Sequence, residues 1–146
     1  MWWQPWAALS LFAFLLNFVW EFLQVPAFEG LAGEPHWASI LFCLQATVGD
    51  VIILAIAYGA VAVATGTRWW LMRPTARRVS VYVAVGLSIT FVLEPVNVHL
   101  LERWSYEPWV PTVLGVGLPP ILQWIVLPPF ILWLARRHLA GARRAS

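Results

Sequence analysis

Apolar residues fill four long stretches of the chain, and each stretch is long enough to cross a lipid bilayer as a helix. They run from about residue 6 to 28, 38 to 64, 79 to 101 and 118 to 135. A helix needs roughly 20 mainly apolar residues to span the hydrocarbon core of a bilayer. The pattern therefore predicts an all-α, polytopic integral membrane protein, with one transmembrane domain over residues 1–146 folded as a four-helix bundle.

Polar residues interrupt the first span at helical spacing. Asn17, Glu21 and Gln24 stand at i, i+4 and i+7, so they fall within one narrow arc of a helix. A charged side chain at the centre of a bilayer costs roughly 2.5–3.5 kcal/mol or more. This arc is therefore expected to face the inside of the bundle.

The other spans also carry polar residues at membrane depth. In the third span Thr90, Glu94 and Asn97 repeat the spacing of the first arc, and Pro95 is expected to bend the helix beside the acid. The second and fourth spans add Gln45, Thr47, Asp50 and Gln123. The three acids are predicted to share one chamber. At least one of their carboxyls is expected to hold a proton, because like charges repel strongly at low dielectric.

The two halves of the chain resemble each other at an offset of 73 residues. At this offset Glu21 matches Glu94, Gln24 matches Asn97, and Asp50 stands opposite Gln123. The first and third spans run in the same direction. The pattern therefore predicts a two-plus-two internal repeat about an axis along the membrane normal, as in some transporters.

Composition and charge support a membrane protein and predict its orientation. Apolar residues make up 61% of the chain and charged residues 11%, far from the averages of soluble proteins. Eight of the nine basic residues lie in two places, and all are arginines: Arg68, Arg73, Arg77, Arg78, Arg136, Arg137, Arg143 and Arg144. The positive-inside rule then puts both termini in the cytoplasm. No nucleic-acid-binding motif accompanies this basic charge, so no nucleic-acid partner is predicted.

The connection after the third span is unusually apolar and rich in proline and glycine. It either folds back over the chamber as a lid or lies in the interface, held by aromatic anchors such as Trp104 and Trp109. His99 and Glu102 stand at its start, but two residues do not make a metal site, and neither a metal nor a cofactor is predicted.

Motifs spread over nearly the whole chain resemble a family of small bacterial four-span integral membrane proteins. They are W-E-x-x-Q-x-P at 20–26, T-x-G-D at 47–50, E-x-x-N at 94–97, W-x-Y at 104–106 with Pro111, and G-x-G-L-x-P-x-L-Q-W at 115–124. The chain departs from the family at Pro95 and Val110, where the family tends to have Trp and Met. The resemblance implies a four-span fold in the bacterial inner membrane and carries no activity with it. A shorter match, N-x-x-W-E at Asn17, Trp20 and Glu21, is similar to a motif of membrane-bound terpene cyclases.

Three functions are open at this point. The first is an intramembrane acid–base enzyme acting on a lipid-soluble, isoprenoid-like substrate; the second is a small homodimeric transporter or proton-coupled carrier; the third is a subunit or assembly factor of a larger membrane complex. For the enzyme, Glu21 or Glu94 is the expected acid and Asp50 its base or ion-pair partner. The expected substrate contacts are Asn17, Trp20, Gln24, Gln45, Asn97, Gln123 and Trp124, with the two tryptophans either packing between helices or shielding a cation.

Overall fold

The computed structural model describes residues 4–144, with side chains to Ala142. Within these residues it contains four long helices: α1 (Gln4–Gln24), α2 (His36–Thr65), α3 (Ala76–Pro95) and α4 (Leu118–Arg144). All four are long and apolar enough to cross a membrane, α1 and α3 together with the helical turns that follow them. The predicted all-α four-helix architecture is confirmed, and the chain is a multi-pass membrane protein. The side chains of Arg143 and Arg144, counted above for orientation, lie outside the described part.

The helices form a ring in chain order. Helix α1 packs against α2 and α4, and α3 packs against the same two neighbours. Short 3-10 turns occupy the connections at Val25–Ala27, Leu31–Gly33 and Trp70–Met72. Each helix therefore has one face toward the ring interior, where the polar arcs of the sequence can meet.

The fourth helix is longer than the sequence predicted. The apolar pattern ends near residue 135, but α4 continues to Arg144. Leu139 is buried in the core in this added part, and the ring of His138 makes an edge contact with Phe12. The segment after Ala135 contains no proline that would end the helix, and its packing against α1 stabilises the additional helical turns.

Aromatic side chains close the bundle at its arginine-rich end. The ring of Tyr58 stacks on Trp70 at 4.9 Å and meets the edge of Trp6 at 4.9 Å, while Tyr82 packs against Trp70 at 5.7 Å. Tyr58, Trp70 and Tyr82 are almost completely buried. The Trp70 indole donates to the backbone oxygen of Tyr58, and the Tyr58 hydroxyl donates to that of Arg68. We call Trp6, Tyr58, Trp70 and Tyr82 the aromatic plug. The polar residues predicted for the site lie toward the other end of the bundle.

Helix α3 changes its hydrogen-bonding pattern at Pro95. The α-helix ends there and a π-helical segment, Val96–Leu100, continues in the same direction. Proline lacks the N–H that would bond to the carbonyl four residues earlier. The backbone N–H of Leu101 bonds to the oxygen of Val96, five residues before it. A π-helical turn of this kind is often found at a functional site.

The connection between α3 and α4 folds back against the end of α1. The backbone N–H of Glu29 donates to the oxygen of Ser105 at 3.0 Å, and that of Glu107 donates to Ala27 at 2.9 Å. The hydroxyl of Ser105 donates to the Glu29 carboxylate at 2.9 Å. These bonds fix residues 101–107 across the open end of the bundle, as the lid interpretation of the sequence expected.

The same connection contains a small hairpin. Strands β1 (Thr112–Val113) and β2 (Val116–Gly117) pair antiparallel. The two turn residues, Leu114 and Gly115, have φ values of 52° and 82°. Positive φ at both positions is typical of β-hairpins whose strands are joined by a two-residue loop. The hairpin brings the chain back to the first turn of α4.

We expect Gly86→Ala to destabilise the bundle. A Cβ atom at Gly86 would overlap the ring of Trp124, which is buried between α3 and α4. Overpacking of this kind typically costs about 1–3 kcal/mol. Gly141→Ala is the matched control, because a Cβ there meets open space and the helix propensity gain is the same. Unfolding in mixed micelles should show a lower midpoint for the Gly86 variant only; equal midpoints would contradict this packing.

Candidate functional site

A cavity of about 400 Å³ lies between the helices, beneath the folded-back connection. It falls within the usual size range of small-molecule pockets. Eight of the ten residues predicted for the site line it: Glu21, Gln24, Gln45, Asp50, Glu94, Asn97, Gln123 and Trp124. Its other walls are mainly apolar, with Phe28, Phe42, Ile53 and Leu93 among them. The polar arcs of four separate helices thus meet around one space.

Gln123 on α4 is the centre of the polar cluster. Its Nε2 amide lies 2.7 Å from an oxygen of Asp50, 2.8 Å from Oδ1 of Asn17 and 3.3 Å from an oxygen of Glu21. The amide nitrogen of Asn17 is itself bonded to the carbonyl of Ala13, which turns its oxygen toward Gln123. One side chain therefore joins α1, α2 and α4 inside the bundle.

The oxygen atoms around Gln123 can all accept a hydrogen bond only if one of the carboxyl groups is protonated. The Gln123 amide has two hydrogen atoms and faces three oxygen atoms. The carboxyls of Glu21 and Asp50 also lie against each other. Two carboxyl groups can form a hydrogen bond only if one of them is protonated. The geometry therefore favours one proton shared by the Glu21–Asp50 pair.

Trp20 and Asn17 support the site without lining the cavity. The Trp20 indole N–H donates to the side-chain oxygen of Gln24 at 3.1 Å, so the amide nitrogen of Gln24 is turned toward Glu21. Asn17 lies behind Gln123, one turn of α1 deeper. The sequence placed both among the substrate contacts. The structure instead places them one layer back, because a helical arc gives the direction of a side chain but not its depth.

Glu94 is held separately from the Glu21–Asp50 pair. The Trp104 indole N–H donates to its carboxylate at 3.1 Å, and the side chain of Tyr106 lies beside it. Trp104 and Tyr106 belong to the folded-back connection, so the predicted anchor Trp104 points into the cavity and not toward an interface. The hydrogen bond from Trp104 is stronger when this carboxylate is ionised. Glu94 is thus suited to be a base or to stabilise a positive charge.

The cavity reaches the surface of the bundle between α2 and α3. Gln45 on α2 and Leu93 on α3 both line it, and both are exposed. Ala46 and Gly49, with small side chains, lie on the α2 side of this opening. Both helices are candidate membrane spans. A molecule dissolved in the bilayer could therefore enter from the side.

Five polar or aromatic residues line the cavity but were not predicted as site residues: Phe28, Phe42, Thr90, Arg103 and Trp104. Thr90 stands one turn before Glu94 on the same face of α3, so the helical arc already contained the signal for it. Arg103 donates to the Asn97 side chain at 3.3 Å and lies over the Trp104 ring at 5.5 Å. The position of these two depends on how the connection folds, for which the sequence has no periodic signal.

We expect Tyr106 to remain protonated at high pH. Burial, and then the neighbouring Glu94 charge, raise the pKa of its phenol above the ordinary value. Tyr106 therefore contributes to stability fully below about pH 10, the ordinary pKa of tyrosine, and this contribution is lost as the pH rises toward the raised value. The difference in tyrosinate absorbance between wild type and Tyr106→Phe should show no ionised Tyr106 near pH 10. A difference typical of an exposed tyrosine would contradict the burial of this hydroxyl.

Residues 4–144 contain no group of three or more His, Cys, Asp or Glu side chains placed to hold a metal ion. Comparison of the chain with protein-family models, curated proteins and solved structures found no match. The resemblance to small bacterial four-span proteins therefore stays a prediction. The internal repeat also stays a prediction, although its matched residues Asp50 and Gln123 are in direct contact.

Proposed function

We propose that this protein is an intramembrane enzyme that carries out acid–base chemistry on a lipid-soluble molecule, with an isoprenoid as the leading substrate class. The observation that carries the proposal is a cavity with mainly apolar walls that contains three carboxyl side chains and opens between two membrane-spanning helices. Apolar walls suit a hydrocarbon substrate. The carboxyls supply the proton donor and acceptor that such chemistry needs.

The carboxyls divide into two roles in this proposal. The Glu21–Asp50 pair, which shares a proton, is the acid. Glu94, whose carboxylate accepts a hydrogen bond from the Trp104 indole, is the base or stabilises positive charge on the substrate. Trp124 lines the same cavity and can present a ring face to a cation. Trp20 acts indirectly, because its indole orients Gln24 and through it Glu21.

The aromatic plug favours an enzyme over a carrier. The cavity lies toward one end of the bundle, and Tyr58, Trp70 and Tyr82 are packed and almost completely buried at the other end. A carrier must expose its site to both sides of the membrane in turn. In this protein that would require the plug to separate, whereas an enzyme fed from the bilayer needs only the side opening.

The proposed location is the bacterial inner membrane, with both termini in the cytoplasm. The arginines Arg68, Arg73, Arg77 and Arg78 lie at the plugged end of the bundle, which would face the cytoplasm under the positive-inside rule. The cavity would then lie in the outer half of the membrane. Its partners would be membrane lipids and the lipid-soluble substrate.

The test uses solvent deuterium. Protein reconstituted in liposomes of total bacterial lipid is incubated in D2O, and the lipids are examined by mass spectrometry. The proposal predicts that one class of lipid-soluble molecule gains deuterium at carbon, or changes its structure, only when the protein is present. If every lipid is unchanged and one other protein co-purifies at a fixed ratio, the proposal is wrong and the subunit interpretation replaces it. Proton flux in sealed liposomes, with no change in any lipid, would instead indicate a carrier.

A further inference from the structure

The charges around the cavity do not balance. Its lining contains three acids, Glu21, Asp50 and Glu94, and one base, Arg103. One proton on the Glu21–Asp50 pair leaves two carboxyl groups that can carry a negative charge. Arg103 compensates one of them from the exposed mouth of the cavity, where it is bonded to Asn97. With both of these carboxyls ionised, the lining has one negative charge in excess, in a region where an uncompensated charge is costly.

A second feature of the cavity also points to a missing partner. Thr90 is 95% buried, since its relative exposure is 5%, and its hydroxyl has no hydrogen-bond partner among the described residues. Other helical hydroxyls bond to the carbonyl four residues earlier, as Thr47 does to Cys43 at 2.7 Å. Thr90 does not, and it lines the cavity one turn from Glu94. A buried hydroxyl without a partner usually marks a place for a ligand or water.

The rest of the lining suits a cation attached to a hydrocarbon chain. The ring of Trp124 and the carboxylate of Glu94 line the same space, and both attract positive charge. The remaining volume is bounded mainly by apolar side chains such as Ile53, Phe42 and Leu93. From there the opening between α2 and α3 leads out of the bundle.

We infer that the cavity binds the positively charged head of a lipophilic molecule, beside Glu94 and Thr90, while its chain leaves between α2 and α3. This inference rests on the proposed function and narrows its substrate class. The bound species is an alkyl ammonium ion, which brings its positive charge from outside the lining. One positive charge would neutralise the lining.

Three probes with the same chain test the charge. Dodecylamine, which is an ammonium ion at neutral pH, is compared with dodecanol and dodecanoate by native mass spectrometry of the protein in detergent micelles. We expect the ammonium probe to bind about tenfold more tightly than the alcohol, a difference of about 1.4 kcal/mol, and dodecanoate to bind least. Glu94→Gln should remove most of this preference. Thr90→Val should weaken the binding of the ammonium probe. Glu34→Gln is the control, because it changes an exposed acid outside the lining, and it should leave the binding of all three probes unchanged.

The outcomes separate the inference from the proposed function. Equal binding of dodecylamine and dodecanol would overturn the inference but leave a lipid-soluble substrate intact. Preference for dodecanoate would also overturn it and would indicate that Arg103 dominates the site. If no probe binds, yet the deuterium test succeeds, the inference alone fails. If both experiments fail, the proposed function fails too.

Discussion

Replacing Gln123 with leucine is expected to lower the free energy of unfolding by about 3–5 kcal/mol, the typical result of removing one partner from a buried charged group. The amide of Gln123 is the donor to oxygens of Asn17, Glu21 and Asp50. Leucine has a similar size and cannot donate. The three oxygen atoms that share the two amide hydrogens would then have no donor from α4, and two of them belong to carboxyl groups.

Gln45→Leu is the matched control for this prediction. It makes the same substitution at an exposed glutamine of the cavity mouth, for which the described part of the chain offers no hydrogen-bond partner. Stability should be unchanged or slightly higher, because leucine is the better residue on a lipid-facing surface. Unfolding of both variants in mixed micelles gives the comparison. Equal losses would contradict the central position of Gln123, and partial recovery in Gln123→Leu combined with Asp50→Asn would support it.

Glu94→Gln is expected to reduce the deuterium exchange catalysed by the protein about 10²- to 10⁴-fold, the usual contribution of a general acid or base. Glutamine keeps the shape of the side chain and its side-chain oxygen can still accept from Trp104. It cannot take up a proton. The fold should therefore be retained, which the unfolding midpoint and the helical circular dichroism would show.

Glu34→Gln is the control for the reaction, as it is for probe binding. Glu34 is an exposed acid in the connection between α1 and α2 and does not line the cavity. Its variant should exchange deuterium at the wild-type rate. If Glu94→Gln also keeps the wild-type rate, Glu94 has no part in proton transfer, and the assignment of the base is wrong.

The parts of this structure that were predicted from sequence are those that a regular helix fixes locally. The spacing of Asn17, Glu21 and Gln24 places them on one face of α1, and the cost of exposing a charge to lipid turns that face inward. Four such faces in a four-helix ring must meet. The presence of Glu21, Asp50 and Glu94 around one cavity follows from these two facts.

The parts that were not predicted depend on contacts between distant segments. Ser105 meets Glu29 across 76 residues of sequence, and that contact sets where Trp104 and Arg103 lie. No periodic pattern encodes it. The sequence also did not indicate how deep each side chain lies inside the bundle. Asn17 and Trp20 were predicted to contact the substrate, but they lie behind the residues that line the cavity. The apolar stretch also did not indicate that α4 continues to Arg144, because packing of Leu139 in the core extends the helix beyond that stretch.

The cavity can be filled at one position without disturbing the packing of the helices. Gly49 lines the cavity, and a Cβ atom there would meet no other atom within 4 Å. Gly49→Leu should therefore place an apolar side chain in the space proposed for the substrate. Gly141→Leu adds the same side chain at another position with open space around it, on the surface of α4.

The substrate cavity is tested most directly by mass spectrometry of the lipid-soluble molecules that co-purify with wild type, Gly49→Leu and Gly141→Leu after mild solubilisation. We expect wild type and Gly141→Leu to retain the same apolar molecule in a fixed ratio to protein. Gly49→Leu should retain about tenfold less, equivalent to about 1.4 kcal/mol of binding free energy, while remaining folded. Equal retention by all three proteins, or retention of only bulk lipid, would contradict a substrate cavity between these helices.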